Sequence, residues 1–167
     1  QKSALDPRIA SSIVEKAVTA KRGTIYDRNH TVIAQQTQAY TIVAYLDKGV
    51  VDVNGNPNYV KDISSTAKKL KSVLGDEVNE KALVKIMKSA KMAGKSQTEL
   101  GSGTKRIKKS LMKEIKKLKI PGIGFIDAVA RYYPATPYSS NLIGFAAYDE
   151  DKQSIEGKLG LELSLNA

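Results

Sequence analysis

The hydrophobic period of the chain changes twice, and this constrains the fold more than any other feature. From Gly23 to Leu46 the apolar runs are short and rich in β-branched and aromatic residues: Thr24 to Tyr26, Thr31 to Ile33, and "YTIVAYL" at Tyr40 to Leu46. That is strand composition. The "DRNH" between the first two runs is a turn, and its Asn29 and His30 tolerate left-handed backbone better than most residues with a side chain. "DVNGNPN", Asp52 to Asn58, is the strongest loop signal in the chain. Beyond it the period becomes helical: Val60, Ile63, Ala67, Leu70 and Leu74, then Leu83, Ile86, Met87 and Ala90. A third helix is expected over "TKRIKKSLMKEIKKLK", capped by Thr104, with a stripe of Ile107, Leu111, Ile115 and Leu118, and ended by Pro121 and Gly122. From Ile123 to Leu165 the pattern returns to strands and loops. Strands at both ends of a helical middle require the two ends to pair in space. The predicted fold is α+β: a connector over 1–20, a strand-rich base from 21–58 and 121–167, and an inserted helical head over 59–120.

Composition narrows the chemistry. Across 167 residues there is no cysteine and a single histidine, His30. Thiolate and disulfide chemistry are excluded, a zinc site has no ligand set, and no metal or cofactor is expected. Lysine and arginine total 27 against 17 acidic residues, a net charge of +10. The excess is mostly lysine at positions that read as helix surface, which favours contact with polyanions. No run of 18 apolar residues is present, and the chain starts at Gln1 rather than Met. We expect a piece of a longer protein.

Three serines precede a lysine by three positions: Ser65 and Lys68, Ser102 and Lys105, Ser110 and Lys113. A lysine one helical turn from a serine can share its proton and make it a nucleophile. Ser65 with Lys68 and Ser110 with Lys113 lie off the apolar stripes, so they should face water, where a lysine stays protonated and cannot act as base. "SSN" at Ser139 to Asn141 matches a second element of such a site, but no Lys-Thr-Gly or Lys-Ser-Gly follows anywhere, and an incomplete constellation is not a site. With one histidine, no Ser-His-Asp triad can be tested. The glycines near 101–103 lack the Gly-Lys-Thr ending of a phosphate loop. The lysine-rich helix carries no aromatic residue for stacking on bases, so a basic nucleic-acid-binding domain stands only as the alternative reading.

"RGTIYDRN", Arg22 to Asn29, resembles the first signature of the non-catalytic N-terminal module of class B penicillin-binding proteins, with His30 where the pattern has glycine. "RYYP" with "LIG" downstream, Arg131 to Pro134 and Leu142 to Gly144, resembles the second, and "GKLGLE", Gly157 to Glu162, the third. The order and spacing agree over nearly the whole chain. The resemblance implies a membrane-anchored peptidoglycan D,D-transpeptidase whose anchor lies upstream of Gln1 and whose catalytic domain lies after Ala167. This segment would be its pedestal, or dimerisation, domain on the extracytoplasmic face of the membrane, without catalytic residues. The implied partners are its own transpeptidase domain, divisome or elongasome proteins including a polytopic glycosyltransferase, and a second copy of itself. No nucleic acid is implied. Division, elongation and sporulation members share these signatures. The motif positions carried over are Arg22, Gly23, Asp27, Arg28, Asn29, Arg131, Tyr133, Pro134, Gly144, Gly160 and Glu162. Because the two ends must pair, Arg22, Asp27, Arg28, Arg131 and Glu162 are expected to form one charge-assisted network, with Glu162 accepting from Arg22 or Arg28.

Overall fold

A computed structural model describes residues 21–134, 140–152 and 154–166. The expected connector over 1–20 and Ser139 of the "SSN" element lie outside these described residues. The architecture is α+β, with antiparallel sheets and helices. Its spine is one long strand, β2 (Val32–Tyr45), preceded by the short β1 (Ile25–Tyr26). Sequence composition had suggested two separate runs here. "AQQTQA" carries the strand across the gap because every residue from Gln35 to Ala44 is paired with β5 (Ile123–Tyr132) in an unbroken antiparallel register. The two ends of the chain therefore do meet, through the sheet itself.

β2 has two characters along its length. Its first half is partly exposed, while Ala39 to Ala44 are buried on both faces, the pattern of a strand covered from two sides. Tyr40, Ile42 and Ala44 point into the main apolar core with α1 (Ile63–Leu74) and α2 (Glu80–Met92). Both helices carry a side-chain cap at their start. The Asp62 carboxylate accepts from Ser65 N at 3.0 Å, and the Asn79 side chain accepts from Lys81 N and Ala82 N, satisfying donors that a helix start leaves open. Val60, Ala67, Leu70, Leu74, Leu83 and Met87 fill the core. The head is thus built on the second half of β2 as well as on its own helices.

The third helix differs from expectation. It spans only Lys109–Lys117, here α3, and begins without a side-chain cap. Thr104 is fully buried in the preceding loop: its hydroxyl donates to Gly101 O at 2.7 Å, and its carbonyl accepts from Ile42 N at 2.9 Å. Ile107 and Lys108 form β4, paired with Tyr40 and Ala39. β3 (Gln97–Glu99) pairs with Val43 to Tyr45. The open edge of β2 takes these residues into a ladder, and tertiary hydrogen bonds outweigh their helical propensity. Arg106, at φ 54°, makes the turn that helix geometry forbids. Met112 and Ile115 carry the buried face of α3, while Leu118 stands exposed past its end.

The C-terminal part adds α4 (Ser140–Ile143), the hairpin β6 (Ala146–Asp149) with β7 (Ser154–Gly157), and α5 (Gly160–Ser164). Among the described residues no helix is long and apolar enough to cross a membrane.

Candidate functional site

Glu162 sits on α5 with no solvent exposure. An isolated buried carboxylate is prohibitively costly, so the site must supply partners. It does so from both ends of the chain. Arg22 Nε donates to Glu162 Oε2 at 2.8 Å, and Arg131 Nε donates to Oε1 at 2.8 Å. Tyr133 O–H donates to Oε1 at 3.2 Å and accepts from Ala146 N at 2.7 Å, tying β6 to the same point. Arg22 Nη2 also donates to the Glu162 main-chain carbonyl, and Arg22 Nη1 to Asn166 Oδ1 at 2.7 Å. Arg131 Nη1 donates to Gly23 O at 2.7 Å, so Arg131 also braces the segment that carries Arg22. Gln36, opposite Arg131 in the sheet register, accepts from Arg22 N at 2.8 Å.

Burial pushes the Glu162 carboxyl up, but hydrogen bonds and charge from Arg131 and Arg22 outweigh it, and the net shift is below the ordinary glutamate value. Glu162 is therefore ionised at neutral pH. Burial, reinforced by the Glu162 charge, pushes the Tyr133 phenol up. Asn166 extends the network: its Nδ2 donates to Glu156 Oε2 at 2.8 Å. With Ser154 and Lys152 also on that carboxylate, the Glu156 pKa is lowered to about 2.

Two glycines set the distance. Gly144, at φ 69°, lies where a Cβ would fall 1.9 Å from Leu159 O, and a Cβ on Gly160, at φ 61°, would fall 2.7 Å from Gly144 N. Only backbone fits between them, which seats α5 close enough for Glu162 to reach both arginines.

The expected network is thus present in part. Arg22, Gly23, Arg131, Tyr133, Gly144, Gly160 and Glu162 converge. Asp27, Arg28 and Asn29 do not. The Asp27 carboxylate accepts from Thr31 N and Asn29 N, each at 2.8 Å, and these bonds hold its pKa down. It is spent on closing its own turn. Arg28 is exposed and makes no ion pair among the described residues, so of the two expected donors to Glu162 it is Arg22 that binds, together with Arg131. His30, in place of the pattern's glycine, adopts φ 58°. Pro134 is exposed in a turn after the clamp.

Sequence reasoning did not single out Asn166, although it lies four residues beyond Glu162 in "GLELSLN" and its amide could have been read as a partner for a nearby charge. It also missed a second junction. The Arg106 guanidinium stacks 3.8 Å above the Tyr148 ring, and Lys105 and Arg106 both reach Glu150 Oε1 at 3.3 Å, joining the head loop to the β6–β7 hairpin. Ser65 with Lys68 and Ser110 with Lys113 are exposed on their helices. Lys105, of the remaining pair, is held by Glu99 at 3.1 Å and by Glu150, which raise its pKa.

Residues 17–167 match the family described as the penicillin-binding protein dimerisation domain. Stage V sporulation protein D of Bacillus subtilis is 29% identical over 142 residues, covering 85% of this chain and 19% of that protein. The structure of penicillin-binding protein 2X from Streptococcus thermophilus is similar at 30% identity and a TM-score of 0.59, covering 89% of this chain and 22% of that one. The complex between penicillin-binding protein PBP2 and MreC from Helicobacter pylori contains the same fold at 18% identity and a TM-score of 0.52, covering 87% of this chain and 27% of that chain. The chain thus spans about a fifth of the length of the curated relative it matches. A carboxylate clamped between the two ends of a strand-rich base, in a segment that matches one family over 151 consecutive residues, makes this chain a member of the penicillin-binding protein dimerisation domain family of class B penicillin-binding proteins.

Proposed function

We propose that the chain is a non-catalytic pedestal: it positions the transpeptidase domain of a membrane-anchored class B penicillin-binding protein for peptidoglycan cross-linking and docks cell-wall synthesis partners outside the plasma membrane. The observation that carries this is the Glu162 clamp. It joins Arg22 to a residue 140 positions later through a buried, charge-assisted bond, so a load entering at the start of the base passes directly to its end. Exposed Leu142, Phe145, Leu159, Leu163 and Leu165 surround α5, an apolar surface suited to an adjoining domain. The partner role draws on fold likeness to a protein found in complex with MreC. A polytopic glycosyltransferase and a second copy of the chain are further partners in this proposal.

The test places Glu162→Gln in the full-length parent. Fluorescent penicillin should still label the transpeptidase serine at the wild-type rate, while cross-linking of nascent glycan falls. Unchanged cross-linking by a variant whose base is shown to be loosened would overturn the positioning role. The same label should leave the isolated chain unmodified, and an adduct on Ser65 would overturn the non-catalytic assignment. Nanomolar binding of an oligonucleotide at physiological salt would instead favour the nucleic-acid reading.

A further inference from the structure

Among the described residues the outer edge of β5 is unpaired. On its inner side β5 is paired with β2 throughout, and among the described residues no strand is paired with its other side. Unpaired strand edges are templates for a further strand, and proteins commonly blunt them with lysine, proline or a bulge. From Ile123 to Ala130 this edge has none of these, and its register is regular.

Beside the edge lies a hollow of about 350 Å³ lined by Tyr45, Lys116, Lys119, Ile123, Gly124 and Phe125, among others. Side chains alternate faces along a strand, so Ile123 and Phe125 line the hollow from one face, and Gly124 between them contributes only main chain. A Cβ on Gly124 would fall 2.6 Å from the Tyr45 ring, which lies across the glycine. The floor is aromatic and aliphatic and the rim is cationic. Lys116 Nζ stands 5.6 Å from the centre of the Phe125 ring, and neither Lys116 nor Lys119 makes an ion pair among the described residues.

The ladder fixes which main-chain groups are available. Tyr45 N donates to Gly122 O at 2.8 Å. In an antiparallel pair, residues exchange both bonds at every second position. Gly124 and Ile126 therefore face β2, and the N–H and C=O groups of Phe125 and Asp127 face outward.

We infer that this edge docks an extended, acidic segment of a partner protein as an added strand, with a carboxylate at Lys116 and Lys119 and an apolar side chain in the hollow. Asp127, farther along the strand, sets the direction by repelling acid at that end. The partner being a cell-wall synthesis protein rests on the pedestal reading; the edge itself does not.

The probe is an acetylated, amidated octapeptide alternating valine and threonine, with glutamates at one end, compared with its lysine counterpart by amide NMR of the full 167-residue chain. The glutamate peptide should shift and protect the amides of Phe125 and Asp127, and weaken with added salt. Asp127→Pro removes an outward N–H while sparing the bonds to β2, and should weaken binding about tenfold. Lys116→Glu with Lys119→Glu should reverse the preference between the peptides, which keeps the test independent of any strain from proline. No shift at these amides, equal binding of the lysine peptide, the same shifts from phosphatidylglycerol vesicles without peptide, or concentration-dependent self-pairing of β5 would each overturn the inference. Such a failure, with the Glu162 clamp intact by melting, leaves the pedestal reading standing.

Discussion

The foot and the head of this molecule are held together by different forces. The segment 59–120, which we propose as the head, packs Leu70, Leu83, Met87 and Ile115 into the apolar core and carries 17 basic against 6 acidic residues, a net +11 that exceeds the charge of the whole chain. Its stability comes from apolar burial, which is insensitive to small displacements, and its charge is solvated on helix surfaces. The foot is centred on one ionised carboxylate between two arginines, in a seat shaped by two glycines. Directional bonds of this kind fix one geometry and fail when one partner is lost. A core gives cohesion, and a clamp gives register where the two strand-rich segments meet.

Removing the clamp should have the largest effect. Glu162→Gln leaves two buried guanidinium groups without their counter-charge, and loss of one partner from a buried pair costs about 3 to 5 kcal/mol. A large fall in melting temperature is expected, with hydrogen exchange rising first at Arg22 to Tyr26 and Gly157 to Asn166 while α1 and α2 remain protected. A melt matching wild type would show that the pair is only a surface contact. In the head, Leu70→Ala should cost about 2 to 5 kcal/mol by leaving a cavity. The two variants are separated by pH. Because the folded Glu162 pKa lies below the ordinary glutamate value of 4.5, its contribution is complete above that value and is lost as pH falls through the lowered folded value. Acid titration should therefore narrow the gap between wild type and Glu162→Gln and leave the deficit of Leu70→Ala unchanged. A gap that widened in acid would reverse the assigned sign.

The foot was legible because its motif positions are few: three arginines, the glutamate of "GKLGLE" and paired glycines in segments that must meet leave few ways to satisfy a buried charge. What sequence left open was the choice between Arg22 and Arg28, which the structure resolves to Arg22. Arg22 and Arg28 look alike in "RGTIYDRN", and only the turn between β1 and β2 turns Arg28 outward while Asp27 is consumed locally. The head helices α1 and α2 were legible through their apolar period, while their caps Asp62 and Asn79 were not singled out. α3 was not, because Ile107 fits both a helical stripe and a strand, and the choice depends on an open edge of β2 that lies more than 60 residues away. The Arg106–Tyr148 junction was hidden for a related reason: one arginine among many lysines carries no local mark of the ring it covers.

The smallest effect is expected at the turn that precedes the clamp, and it tests whether the foot depends on the turn or on the charges. His30 holds φ 58°, a conformation that costs a residue with a side chain about 1 to 2 kcal/mol, though histidine tolerates it better than most. Glycine at this position would relieve that strain but would give up about 0.5 to 1 kcal/mol through the greater freedom of the unfolded chain. The two terms nearly cancel, so His30→Gly should move stability by less than about 1 kcal/mol in the stabilising direction. The bonds from Thr31 N and Asn29 N to Asp27 remain available in the variant because they involve no side chain at position 30. If His30→Gly instead shifted the melt as far as Glu162→Gln, the turn would be setting the reach of Arg22, and the foot would be organised by its backbone before its charges.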